Sequence, residues 1–177
     1  MLDALISSKT RVRLLLKFFL NSNTSSYLRS LEQEFGESSN AIRIELNRLE
    51  DAGLLISANE GNKKMFQANV KHPLFEEIHS MLVKTLGIDQ IISQVTERLG
   101  NVQSVWLTGD FSKGIDSKII DLILIGDVDK SYLAQLTEKS EKVVKRKIRF
   151  LIYDSQEAKA IDWMNQVPKP LLLWSQV

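Results

Sequence analysis

The stretch Gly36 to Leu54, GESSNAIRIELNRLEDAGL, decides how the rest of this 177-residue chain is read. Ser38, Ser39 and Asn40 place side-chain oxygens where a helix leaves its first amides unpaired, so a helix is expected to start there. Gly53 follows the last polar turn and suits the left-handed conformation that ends a helix. Between these ends Ala41, Ile42, Leu46 and Leu49 recur at helical spacing and form one apolar stripe. Asn40, Arg43 and Asn47 stand at i, i+3 and i+7 and project together, joined by Ser39 at the N-terminal end. Arg, Asn and Ser are side chains that reach guanine, adenine and phosphate groups in a duplex. The face is therefore a candidate DNA-reading surface, with a plain solvated helix face as the competing reading.

Outward from this helix the pattern stays helical on one side and turns to strands on the other. Ser8 to Leu20 carries Val12, Leu15, Leu16, Phe19 and Leu20 at helical period. Asn21 to Ser25 then breaks it. Ser25 or Ser26 is expected to cap a second helix ending near Phe35, with Tyr27, Leu28 and Leu31 as its buried stripe, and Gly36 makes the tight turn into the central helix. Downstream, Leu54 to Ala58 and Lys64 to Val70 are short apolar-rich runs flanking Asn59, Glu60, Gly61 and Asn62, which are strong turn formers. The order is helix, helix, helix, β-hairpin.

With those residues in place, Ser7 to His72 resembles a winged-helix DNA-binding domain of the ArsR/MarR kind. The resemblance implies that the third helix enters the major groove and that the hairpin, or wing, lies on the neighbouring backbone or minor groove. It implies base-edge contacts from Ser39, Asn40, Arg43 and Asn47, and phosphate contacts from Lys63 and Lys64. Helical triplets with hairpins also serve as protein-binding modules, which is the alternative. Residues 1–72 hold 10 Lys/Arg against 8 Asp/Glu, and the whole chain carries a formal net charge of +1. Bulk electrostatics alone will not hold such a protein on DNA, so binding must rest on locally placed charges and on dimerisation.

Composition excludes several classes. There is no cysteine, hence no disulfide, thiol catalysis or zinc finger. His72 and His79, one beside a proline and one in a helical pattern, are not expected to ligate metal. The N-terminus MLDALISSKTRVR lacks the apolar run of a signal peptide, and no apolar segment approaches the length of a membrane span. A cytoplasmic location with no membrane partner is expected.

His72 and Pro73 end the second hairpin strand. Leu74 to Leu86 then carries Phe75, Ile78, Leu82 and Leu86 on one stripe, and Asp89 to Leu99 carries Ile91, Ile92, Val95 and Leu99. Two such helices after a wing resemble the dimerising helices of winged-helix regulators; packing beneath the C-terminal half is the alternative. A two-fold dimer would set two recognition helices about 34 Å apart on an inverted-repeat operator.

From Val102 onward strands alternate with helices: Val102 to Leu107, Ile119 to Ile125 and Ile148 to Tyr153, with a helix over Tyr132 to Val144. Trp106 is expected in the core. The stretch LTGDFSKGIDSKIIDLILIGD, Leu107 to Asp127, resembles the signature of the minimal nucleotidyltransferase fold. There a strand ends in Gly-Ser, a short helix contains Arg-Gly, and the next strand carries two carboxylates one residue apart. The resemblance implies phosphate binding at the Gly-Ser turn and three carboxylates holding two magnesium ions. Matched by position, Gly109 keeps the glycine, Asp110 replaces the serine, Lys113 and Gly114 stand at Arg-Gly, and Asp121 keeps the second carboxylate. Ile119 stands where the first should be. The strand that should supply the third offers Arg149, with Asp116 and Asp154 as poor substitutes. These are degenerate nucleotide-site positions, so no catalysis, cofactor or metal is expected.

Two features lie outside both resemblances. Lys142, Lys145, Arg146, Lys147 and Arg149 form the densest basic run, either a solvated helix end or a surface for DNA backbone or an anionic ligand. Leu171 to Trp174 is expected to dock as a last strand or to pack on a partner chain. The whole reads as an α/β (α+β) protein in three parts: an N-terminal winged helix-turn-helix over 1–72, connecting helices over 73–100, and a nucleotidyltransferase-like small mixed sheet with flanking helices over 101–177. The expected function is sequence-specific transcription regulation on double-stranded DNA by a homodimer. Its C-terminal domain would be an inactive sensor of a small anionic or nucleotide-like effector, or an assembly module. The alternatives are an active nucleotidyltransferase recruited by a winged helix, and a protein-interaction module.

Overall fold

A computed structural model describes residues 6–98, 100–163, 165–166 and 168–176. The chain is mixed α/β with two separate sheets. It divides into two compact units, Met1–Leu82 and Val83–Val177. The division falls inside a helix, within the segment 73–100.

In the first unit, α1 (Lys9–Leu15) begins at Ser8, whose Oγ accepts the Arg11 amide at 3.2 Å. It runs on as a π-helical turn, Leu16–Leu20, every residue of which is buried. The wider turn carries Lys17 inward as well, where its Nζ meets Glu34 Oε2 at 2.7 Å. Next come β1 (Ser25–Tyr27), α2 (Leu28–Phe35) and α3 (Ser39–Asp51). Ser25 and Ser26 do not cap α2. Their backbone pairs antiparallel with Gln67 and Phe66, which makes them a strand and leaves Tyr27 at the helix N-cap without a side-chain bond.

The central helix is built as its ends suggest. Ser38 Oγ accepts from the Ala41 amide at 3.3 Å. At the other end Gly53 takes φ +73, and the Leu54 amide reaches back to Leu49 O at 2.9 Å, closing the last turn. Ile42, Leu46 and Leu49 are buried, against α1, α2 and the following strand. That strand, β2 (Leu55–Glu60), pairs with β3 (Lys63–Ala68) around a two-residue turn at Gly61 and Asn62, giving sheet order β1-β3-β2. The helix α4 (Phe75–Thr85) packs its start on the π-helical turn. Phe75 stacks on Phe19 at 5.6 Å, and His79 Nδ1 lies 2.8 Å from Phe19 O. His72 Nδ1 accepts the Leu74 amide at 3.1 Å, so both imidazoles are engaged in the fold.

The second unit holds α5 (Ile88–Arg98), β4 (Gly100–Thr108), α6 (Gly109–Ser112), β5 (Ile119–Val128), α7 (Lys130–Val144), β6 (Lys147–Tyr153), α8 (Ser155–Ala160) and β7 (Leu171–Ser175). Leu99 and Met164 lie outside the described residues. The sheet order is β6-β5-β4-β7, with β5 and β6 parallel and the other pairs antiparallel. Leu171–Ser175 docks as an edge strand. Alternation along β4 and β5 puts Val105, Leu107, Ile120, Leu122 and Leu124 in the core, each with no exposed surface.

Trp106 faces the other way. It is half-buried, stacked on Trp163 at 6.3 Å beside Ile123 and Ile125, and its indole N–H reaches Ser104 Oγ at 2.9 Å. On this side sits α8, started by Asp154 in a capping box with Glu157. Among the described residues no helix is long and apolar enough to cross a membrane.

Candidate functional site

The polar face of α3 and the hairpin enclose a groove of about 770 Å³. Ser39, Arg43 and Asn47 line it from the helix, and Asn62, Lys63 and Lys64 from the hairpin. Five of the six residues expected to bind DNA are thus brought to one concavity. The sixth, Asn40, is exposed on the first turn of α3 and is not part of the lining.

The ion pairs around α3 decide which cations are free. Glu45, although on the polar side of the pattern, is buried at 7% side-chain exposure, because Arg11 from α1 reaches it at 2.8 Å and Arg48 at 3.1 Å. Burial pushes its carboxyl up, but hydrogen bonds from Arg11 and Ser8 and the charges of Arg11 and Arg48 outweigh this and hold it below the ordinary carboxylate range. Thr10 and Arg13 similarly engage Glu37. At the far end of the helix Glu50 accepts from Lys64 at 2.7 Å and from Ser57 at 2.5 Å, and these bonds lower its pKa.

Lys64 is therefore discharged by Glu50 and also lies over the Phe66 ring at 5.1 Å. Lys63 sits over the Tyr27 ring at 4.4 Å and forms no ion pair among the described residues. Among the described residues Arg43 and Arg29 form no ion pair, and Glu32 is the acid in the lining.

The second candidate site sits where β4 gives way to α6. Gly109 takes φ +67, and a Cβ there would run into the Asp121 carboxylate and crowd its Cγ and Cβ at 3.1 and 3.2 Å, so conformation and room both favour glycine. Asp121, on β5, is bonded to Arg149 on β6, Nε to Oδ1 at 2.6 Å. That hydrogen bond, with the charge of Asp121 and a smaller contribution from Asp110, raises the Arg149 pKa above its ordinary value. Asp110 is exposed at the helix start, and its carbonyl accepts the Lys113 and Ile115 amides at 3.0 Å. Lys113 is exposed and Gly114 buried.

Neither substitute carboxylate reaches this place. Asp116 pairs with Arg146 at 2.8 Å and Asp154 caps α8. Ile119 stands opposite Lys147. The donor set does not fit a divalent cation, since the one inward carboxylate already holds a guanidinium. Among the described residues no group of three or more His, Asp or Glu is placed to ligate a metal.

No family model matches the chain, and no curated protein matches it.

The groove contains side chains that the sequence pattern assigned elsewhere. Tyr27, read as core, is half-buried and lines the groove with Leu28, Arg29 and Glu32. Helical spacing alone shows that Arg29 is on the outer side of α2. It does not show that β1 turns this end of α2 toward the hairpin. The basic run Lys142 to Arg149 is largely neutralised: Lys142 by Glu138, Lys147 by Glu141, Arg146 by Asp116 and Arg149 by Asp121. The carboxyls of Glu138 and Glu141 are held below their ordinary values mainly by these lysine hydrogen bonds.

Proposed function

We propose that the protein is a sequence-specific, cytoplasmic DNA-binding regulator, with a winged helix over its first unit acting as part of a homodimer. The observation that carries this reading is the gathering of Ser39, Arg43 and Asn47 with Lys63 and Lys64 around one groove whose lining holds a single acid, Glu32. Arg43 and Asn47 read base edges, Ser39 and Asn40 hold the helix N-terminus on the backbone, and the wing lysines fix register. The C-terminal unit is a catalytically inactive nucleotidyltransferase-like module for sensing or assembly. The Asp121–Arg149 pair supports that view, because a cation in its place would have to displace the guanidinium.

Selection from a pool of random duplexes, followed by fluorescence anisotropy at about 150 mM salt, tests the reading. An enriched inverted repeat bound about a thousandfold more tightly than random DNA is expected. On that site Arg43→Ala should cost about 1 to 3 kcal/mol, whereas on random DNA it should cost far less. A pool that shows no enrichment overturns DNA reading in favour of a protein partner. Turnover of a nucleoside triphosphate with magnesium would overturn the inactive assignment.

A further inference from the structure

The two outer strands of the second sheet, β6 and β7, are built differently. β7 is five residues long, meets a register shift in its pairing with β4 and follows Pro168 and Pro170. Shortness, irregular pairing and proline are devices that keep an edge from pairing further. β6 has none of them, since its seven residues pair with β5 without a shift. Its cations are also occupied, Lys147 by Glu141 and Arg149 by Asp121.

The backbone of this edge is closed at both ends and open in the middle. The Lys147 amide reaches Lys118 O on the β5 side at 2.9 Å, so the odd residues of β6 bond to β5 and the even ones turn their N–H and C=O outward. Glu141 Oε1 accepts the outward Ile148 amide at 2.9 Å, and Glu157 Oε2 accepts the Asp154 amide at 2.9 Å. Between them the outward amides of Phe150 and Ile152 meet no acceptor among the described residues.

The open stretch is centred on Leu151 and is complementary to itself. An antiparallel pairing of two copies about a two-fold axis at Leu151 sets Phe150 opposite Ile152 and Ile152 opposite Phe150, each as a hydrogen-bonded pair. It also brings the two closed positions, Ile148 and Asp154, opposite each other, where the ladder stops. Moving the axis to Phe150 or to Ile152 would require Glu141 or Glu157 to be displaced. The Leu151 side chains, 52% exposed, meet across the axis and extend the cross-strand row Leu172, Trp106, Ile123, Leu151. Arg149 faces the second copy's Tyr153, so this cation meets an aromatic ring and not its own image.

We propose that β6 pairs with β6 of a second copy of this chain in this register, joining two four-stranded sheets into one. The pairing gives a surface to the homodimer proposed above and rests on that part of the reading; DNA binding does not enter.

Leu151→Cys tests the register, because the chain has no cysteine of its own. Residues facing each other in a non-hydrogen-bonded pair have Cα atoms about 4.5 Å apart, within the reach of a disulfide. Mild oxidation of the full chain should link Leu151→Cys into a covalent dimer on a non-reducing gel. Leu172→Cys, at 47% exposure on the same face but on the far edge, should stay largely unlinked. The unaltered chain gives an independent readout. Exchange at the Phe150 and Ile152 amides should slow with protein concentration, by about tenfold where about nine-tenths of the chains are paired, since only the unpaired edge exchanges. Sedimentation velocity at the same concentrations supplies the paired fraction.

Equal linking at 151 and 172, or exchange at Phe150 and Ile152 that is indifferent to pairing, overturns the proposal. A dimer by sedimentation that forms no link at 151 defeats this surface and leaves the homodimer standing. A chain that stays monomeric at every concentration defeats both.

Discussion

Asp121 on β5 and Arg149 on β6 stand directly opposite each other in the parallel pair of the second sheet, joined at 2.6 Å. The guanidinium is two-thirds exposed while the carboxylate is mostly shielded, at 66% and 18%. The acid depends on the base more than the reverse.

Reversing the charge at 149 should therefore do more harm than removing it. Arg149→Glu is expected to melt at a lower temperature than Arg149→Ala, because it sets like charges against each other across the strand pair. Asp121→Asn in the Arg149→Glu background should restore part of the loss. Thermal unfolding followed by circular dichroism reads all three, and a double variant no more stable than Arg149→Glu would contradict the pairing.

Gly109→Ala should destabilise the protein by about 1 to 3 kcal/mol, from the left-handed backbone and the clash with Asp121 together. Asp121→Ala removes the carboxylate from the clash and leaves only its Cβ, at 3.2 Å, together with the backbone strain. The loss from Gly109→Ala measured in that background should accordingly be smaller, a non-additivity that a double-mutant cycle in urea detects. Strict additivity would mean that the two residues do not meet.

Glu45→Gln should cost about 1 to 3 kcal/mol at neutral pH, since it leaves the Arg11 pair without its charge beneath α3. The Glu45 carboxyl lies below its unfolded value of about 4.5. Its contribution is thus fully present above that pH and disappears as the pH falls through the lower folded value. The stability gap between wild type and Glu45→Gln, from denaturant midpoints, should narrow as the pH falls below the unfolded value and through the lower folded one. A gap constant with pH would place the effect in packing.

Glu50→Gln should release Lys64. If Lys64 then reaches phosphate, affinity for random duplex rises and the slope of log affinity against log salt steepens by about one unit. An unchanged slope would show that Lys64 stays on the Phe66 ring.

Local signals in the sequence carried the ends of α3. Ser38 and Gly53 act within one turn of their own positions, and the apolar stripe needs no knowledge of distant chain. The same holds for the hairpin turn at Gly61 and Asn62. Pairwise placement was not legible. Glu45 reads as polar surface until Arg11, thirty-four residues earlier, closes over it. Ser25–Tyr27 is too short to show a strand pattern, and its partners Met65–Gln67 lie far along the chain. The capping box of Asp154 and Glu157 is a local signal that could have identified α8. At the second site, the residue matches located Gly109 and Asp121. What they could not give is the register that sets Arg149 on Asp121, which depends on strand order.

The pairing of β1 with β3 has a mechanical consequence. Tyr27, on the groove's inner side, shares a ladder with Met65 in the hairpin, and α2 begins at the next residue. An occupant that presses the hairpin outward cannot simply bend a loop; it must shear the bonds of a three-residue strand. The groove thus behaves as a vice with a set gap, and the Ser26 and Phe66 amides are its strain gauge. Faster hydrogen exchange there under load would record how hard the jaws are being forced.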